Sequence, residues 1–246
     1  MRYFRYFIFF IGFISCKPEY TAQEIIDKAI QNAGLDVFDK SELTFGFRKD
    51  TYTAVRNEGS YQYHRIIPTD SVVIKDVLSN EGFQRFFGEN KVELSEKKVN
   101  QLSNKVNSVH YFSVLPYGLN DKAVKKKLVN TVKIKGDDFY KIEITFNENG
   151  GGDDHDDVFL YWFRKETFLL EYLAYKYHTD GGGIRFRDIK KEHNINGIRF
   201  LDYKNFKLKT KDIDFYAIDS LYEEGELIHV SDIELENIKI KSPKNN

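Results

Sequence analysis

One cysteine, Cys16, is all the thiol this chain of 246 residues carries, so disulfide scaffolds and cysteine-ligated metal centres are excluded at the outset. Proline is nearly as scarce, at four residues, and no serine- or glycine-rich linker interrupts the chain past its first few residues. Nothing marks a second domain, and the length is within reach of one large β domain. Neither sign of charge prevails: 37 basic residues stand against 38 acidic ones, which leaves no basic footprint for nucleic acid. The fingerprints of common catalysts are also missing. There is no G-x-S-x-G elbow, no P-loop, no G-x-G-x-x-G and no H-E-x-x-H pair of zinc ligands. Beyond residue 15 no apolar run is long enough to cross a bilayer. A non-catalytic protein is the first expectation, with enzyme chemistry as an alternative.

What opens the chain is more informative. Arg2 and Arg5 precede an apolar core over residues 6–14, too short for a stable membrane span. It ends in Phe13-Ile14-Ser15-Cys16, which resembles a bacterial lipobox, with a small residue directly before the cysteine. Residues 1–15 therefore read as a lipoprotein signal peptide, Cys16 as the lipidation site, and residues 16–246 as a single β-rich domain on a short tether. Lipidation consumes the only thiol. Two or three acyl chains then anchor firmly, each buried CH₂ contributing about 0.8 kcal/mol. The expected location is the cell envelope, lipid-anchored at the outer membrane.

Thr21-Ala22-Gln23-Glu24 is a capping box, Ile25, Ile26, Ala29 and Ile30 form one helical stripe, and Gly34 supplies a left-handed C-terminal position. From Leu43 the period changes to two. Leu43, Phe45 and Phe47 alternate with Thr44, Gly46 and Arg48, and further strand-like runs follow at 52–56, 61–67, 71–78 and 83–87. A helical insertion starts at Ser95, with Val99, Leu102, Val106 and Val109 at helical spacing, and stops before Pro116. Strands resume over 129–135, 139–146, 158–163, 168–177, 184–193, 198–208 and 227–240, with Asn196-Gly197 as a type I′ hairpin pair. Short helices are indicated near 218–223 and, with weaker patterning, over 121–127. The predicted fold is mainly β (α+β): a large curved antiparallel meander of about twelve strands, forming an open or closed barrel.

The stretch 147–183 organises the rest. Val158, Leu160 and Trp162 point one way while Phe159, Tyr161 and Phe163 point the other; Leu170, Tyr172 and Ala174 oppose Leu169, Leu173 and Tyr175. Strands apolar on both faces need cover on both, and helices at 22–33 and 96–109 supply only one. A concave face wrapped around an apolar ligand would supply the other, with Phe112, Tyr117, Tyr161, Trp162, Tyr172 and Tyr175 as candidate cavity residues. If Lys165 and Glu166 are central in the turn, Trp162 falls opposite Leu169 and Asp153 opposite His178. That pairing gathers Asp153, His155, Asp157, His178 and Asp180 at one rim, a donor set that suits a divalent metal such as Ca²⁺ or Zn²⁺. The spacing matches no established site, and a solvated acidic rim is the competing reading. Arg185 and Arg187 share a face and can bind a carboxylate or phosphate, or pair with neighbouring acids.

The strings TAQEIIDKAI, VNSVHYFSVLPYGLND, GGGDDHDDVFLYWF and YHTDGGGIRFRD resemble an uncharacterised family of lipoproteins from Bacteroidota, over nearly all of the mature chain. A lipidated N-terminus, a first amphipathic helix, a long meander and a helical insertion together resemble the LolA/LolB-type lipoprotein carriers. That likeness implies an open β-barrel with a hydrophobic cavity, and an envelope lipoprotein that binds a lipid or other amphiphile. Two alternatives stand beside it: a metal-dependent hydrolase or lyase at the Asp153–Asp157 and His178 rim, and a scaffold or partner-binding module with no ligand.

Overall fold

The computed structural model describes residues 20–148, 156–178, 181–210 and 213–241. The first helix forms where the capping box places it. Thr21 N–H donates to Glu24 Oε2 at 2.8 Å and Glu24 N–H donates to Thr21 Oγ1 at 3.2 Å, so α1 (Ala22–Asn32) starts with both reciprocal bonds made. Ile25, Ile26 and Ala29 are fully buried. At about 1.5–3 kcal/mol for each large apolar side chain, that stripe holds a helix too short to persist on propensity alone. Gly34 then takes φ +71°, and a Cβ there would collide with the Gly197 carbonyl oxygen, so this glycine serves both the turn and a close backbone approach.

Among the described residues the strands form two seven-stranded antiparallel sheets, where the sequence predicts one meander of about twelve strands. The first sheet is laid down as β1 (Lys40–Phe47), β2 (Asp50–Asn57), β3 (Ser60–Ile67), β4 (Ile74–Ser79), β5 (Gly82–Phe87) and β6 (Asn90–Val92). Next comes α2 (Glu96–Ser113). The second sheet runs β7 (Val124–Ile134), β8 (Asp137–Phe146), β9 (Val158–Arg164), β10 (Leu170–Tyr177), β11 (Gly183–Ile195) and β12 (Ile198–Leu208). After α3 (Ile218–Glu223), the run expected as one strand divides. β13 (Leu227–Ile233) pairs with β12, whereas β14 (Glu236–Lys241) crosses to β1. Leu235 marks the crossing: its N–H donates to Asp202 Oδ1 at 2.8 Å and its side chain is buried. Among the described residues the two sheets do not close into a barrel. β6 and β7 end different sheets, and α2 lies in the chain between them.

Two further expectations change. Residues 121–123 are turn and bend, and Val124 opens β7 opposite Phe146, because pairing with β8 overrides weak helical patterning. In the central hairpin Trp162 pairs with Tyr172 and Phe163 with Leu170, not Trp162 with Leu169. The turn is longer than expected, closed by Phe168 N–H to the Arg164 carbonyl at 2.8 Å with Phe168 at φ 59°, and a bulge between Leu170 and Tyr172 shifts the register again.

The chain itself covers much of both faces of the doubly apolar strands of the second sheet. On one face α1, Leu115 and Leu119 pack against Tyr140, Ile142, Tyr161, Phe163 and Leu173. On the other, Phe215, Ile218 and Tyr222 from the segment around α3 pack against Phe139, Leu160, Trp162, Tyr172 and Phe186. That second cover is the role of α3. It also brings a carboxylate: Asp219 accepts from Lys141 Nζ at 3.0 Å and from Trp162 Nε1 at 3.1 Å, all three being buried.

Candidate functional site

α2 presents two unlike faces. Leu102, Val106 and His110 are buried, and His110 stacks on Tyr63 of β3 with ring centroids 4.5 Å apart, close to Phe45 and Tyr52. Burial, with Arg56 nearby, lowers the His110 imidazole to about 3, so it stays neutral in the folded protein. On its other side α2 carries Gln101, Asn104, Lys105 and Ser108, which line a cleft of about 1210 Å³. The facing wall is the surface of the second sheet that the cover around α3 does not reach: Phe146, Phe159, Tyr175 and Leu201.

The last turn of α2 closes the inner part of this cleft. Tyr111 Oη lies 2.7 Å from Tyr161 Oη, and burial raises both phenols above their ordinary range, so they remain protonated. Phe112 stands 5.1 Å from the Tyr175 ring and 4.0 Å from the guanidinium carbon of Arg187. Arg187 is only 7% exposed. Its Nη2 donates to Tyr175 Oη at 3.1 Å, while Nε and Nη1 have no hydrogen-bond acceptor among the described residues. Tyr203 Oη, beside it, also lacks a partner, and burial pushes that phenol up to about 12.

The residues singled out from the sequence distribute unevenly around this geometry. Phe112 and Tyr175 line the cleft, and Tyr161 lies beneath it, bonded to Tyr111. Trp162 and Tyr172 instead point to the opposite face of the sheet, under α3, which corrects their placement as cavity residues. Tyr117 sits elsewhere, donating to Asp39 Oδ1 at 2.7 Å and packing on Phe38. Arg185 and Arg187 both border the cleft, but Arg185 donates to the Ile184 carbonyl at 2.9 Å and lies over Tyr177.

At the proposed metal rim, Asp157 accepts from His178 N–H at 3.2 Å, with His178 Nδ1 3.5 Å from the same carboxylate oxygen. Asp153, His155 and Asp180, like Cys16, lie outside the described residues. Among the described residues no group of three or more histidines, cysteines or acids is arranged to hold a metal ion. The register differs from the one expected for this rim: Lys176 pairs with Val158, and His178 N–H reaches Asp157.

Sequence reading missed the cleft lysines Lys97, Lys98 and Lys105 and the tyrosines Tyr177 and Tyr203. The available signal was the polar side of α2, Lys97-x-x-x-Gln101-x-x-Asn104-Lys105-x-x-Ser108, which reads as ordinary solvated surface until a second wall faces it. With an aromatic wall, an amide- and lysine-bearing wall and a buried cation at its inner end, the site has the chemistry of binding.

The fold is shared with solved structures. The chain is similar to a DUF1329 family protein from Desulfovibrio piger, with TM-score 0.53, 12% identity, 93% of this chain covered and 95% of that one. It is similar also to a LolA superfamily protein from Nitrosomonas europaea, with TM-score 0.52, 14% identity and coverage of 91% and 95%. At these identities the likeness is one of fold, and the fold is LolA-like. No curated protein matches the sequence. A family model described as a family of unknown function, DUF6503, matches residues 3–235, and the chain belongs to that family.

Proposed function

We propose that this protein is a membrane-anchored cell-envelope lipoprotein, held at the outer membrane through a lipidated Cys16, whose cleft binds a lipid-like amphiphile. The observation that carries this reading is the cleft, which at about 1210 Å³ exceeds the ~300–1,000 Å³ of ordinary small-molecule sites. Its walls differ in polarity, and an amphiphile matches both at once. A wholly polar ligand would leave the partly exposed rings of Phe146 and Tyr175 without apolar cover. The LolA-like fold supports the same reading, and the lipobox at Phe13-Ile14-Ser15-Cys16 supports the anchor.

Native mass spectrometry of the chain from Lys17 onward tests the ligand. A lipid adduct is expected, and an adduct-free mass in every charge state would count against the proposal. Metabolic labelling with palmitate tests the anchor: incorporation and membrane attachment should both be lost in Cys16→Ser. Attachment that survives this change would remove the anchor from the account.

A further inference from the structure

Buried polar atoms in folded proteins are nearly always hydrogen-bonded, and a buried charge without a partner is rarer still. The inner end of the cleft breaks this rule three times within one small region. Arg187 Nε, Arg187 Nη1 and Tyr203 Oη are all buried without a hydrogen-bond partner among the described residues, and both residues line the cleft. No carboxylate lies within ion-pair distance of Arg187 among the described residues. Its neighbours are rings instead: Phe112 at 4.0 Å, Tyr175 at 5.2 Å and Tyr203 at 5.8 Å from the guanidinium carbon. Ring faces attract a cation but accept no hydrogen bond in the guanidinium plane. Of the other buried arginines, Arg199 donates to the Leu170 carbonyl and to Glu192, while Arg56 also leaves Nε and Nη1 without a partner among the rings of Phe38, Tyr63 and Tyr117 but does not line this cleft.

The charge around the cleft points the same way. Lys97, Lys98, Lys105, Arg185 and Arg187 face it against two carboxylates, Glu96 and Asp157, in a chain whose formal net charge is −1. Acids are scarce there: the cleft carries two against five basic groups, whereas the whole chain carries 38 against 37.

Resting on the amphiphile-binding reading above, we infer that Arg187 is the headgroup receptor, and that the ligand is an acyl chain bearing an anionic headgroup, carboxylate or phosphate. The headgroup accepts from the Arg187 guanidinium and the Tyr203 hydroxyl, and the acyl chain lies along Phe146, Phe159 and Leu201. Phe112, on the last turn of α2, covers the guanidinium and turns aside to admit the headgroup. Arg185 has a lesser part, because its guanidinium already donates to its neighbour's carbonyl.

The test is titration calorimetry on the full chain carrying Cys16→Ser, with three probes below their micelle concentrations: oleate, lyso-phosphatidylglycerol with the same chain, and uncharged monooleoylglycerol. At least one anionic probe should bind about tenfold or more tighter than monooleoylglycerol, since a charge-assisted bond contributes roughly that factor. Which of the two prevails distinguishes carboxylate from phosphate, and either outcome supports the inference. Arg187→Met should abolish the preference while leaving monooleoylglycerol binding in place. Arg187→Lys, which keeps the charge should the first variant fail to fold, should weaken the anionic probe and leave the neutral one unchanged. Equal affinity for all three probes, or an anionic preference that survives both variants, overturns the assignment of Arg187 while sparing the amphiphile reading. Failure of every probe to bind overturns both.

Discussion

The ring of Phe112 lies over the guanidinium of Arg187, 4.0 Å from its centroid to the guanidinium carbon. One residue sits in the last turn of α2 and the other within β11, so this contact ties the helix to the second sheet at the inner end of the cleft. A desolvated cation–π contact contributes about 2 kcal/mol. Phe112→Ala should therefore lower stability by about 2–3 kcal/mol, read from urea unfolding with an unchanged slope. A loss below about 0.5 kcal/mol would mean that the contact does not hold α2 in place.

Among the described residues, Asp219 is the one carboxylate that Lys141 and Trp162 contact on the face beneath α3, and Lys141 is 2% exposed. Removing one partner of a buried pair leaves an uncompensated charge, at a cost of about 3–5 kcal/mol. Asp219→Ala should show that loss in denaturant unfolding at neutral pH. The double change Lys141→Met with Asp219→Leu should recover most of it. A double variant as unstable as the single one would show that packing, not charge, is what Asp219 provides.

Gly34 carries two demands at one position, a positive φ and the approach of the Gly197 carbonyl. Gly34→Ala meets both penalties, and backbone displacement of the Asn196-Gly197 turn is the only relief. A loss of about 2 kcal/mol or more is expected, measured as a fall in thermal midpoint. A neutral result would place the turn further from α1 than the fold has it.

His110 makes stability depend on pH. Its folded value is depressed from 6.5 to about 3, so between these limits the unfolded chain holds a proton that the folded one does not. Its contribution is complete above 6.5 and is lost as pH falls toward 3, with a slope of up to about 1.4 kcal/mol per pH unit. His64, also lowered by burial, acts in the same direction. His110→Phe should flatten the acid limb of stability against pH. An unchanged limb would assign acid sensitivity to other groups.

Local features were legible in the sequence because their causes are local. The Thr21–Glu24 capping box, the Asn196-Gly197 hairpin and the period-two runs from Leu43 each depend on residues within a few positions. The need for cover on both faces of the 158–177 hairpin was legible as well, since alternate residues are apolar on either side. Which segment provides each cover was not. Trp162 and Phe159 read alike until α3 is seen to lie over one and the cleft beside the other. Lys141 reads as a surface lysine for the same reason.

The sequence by itself determined most of the strands, the helices α1 and α2 and the apolar demand of the central hairpin. Only the tertiary structure decided how these combine: the division into two sheets with the return crossing at Leu235, the bulge that sets Trp162 opposite Tyr172, and the isolation of Arg187 among rings. The physical reason is range. Propensity, capping and alternation act over a few residues, whereas strand partners and the burial of a charge are settled by contacts between residues far apart in the chain. Arg187 follows a glycine turn and alternates like any surface residue; its enclosure among rings exists only once α2 has brought Phe112 across it.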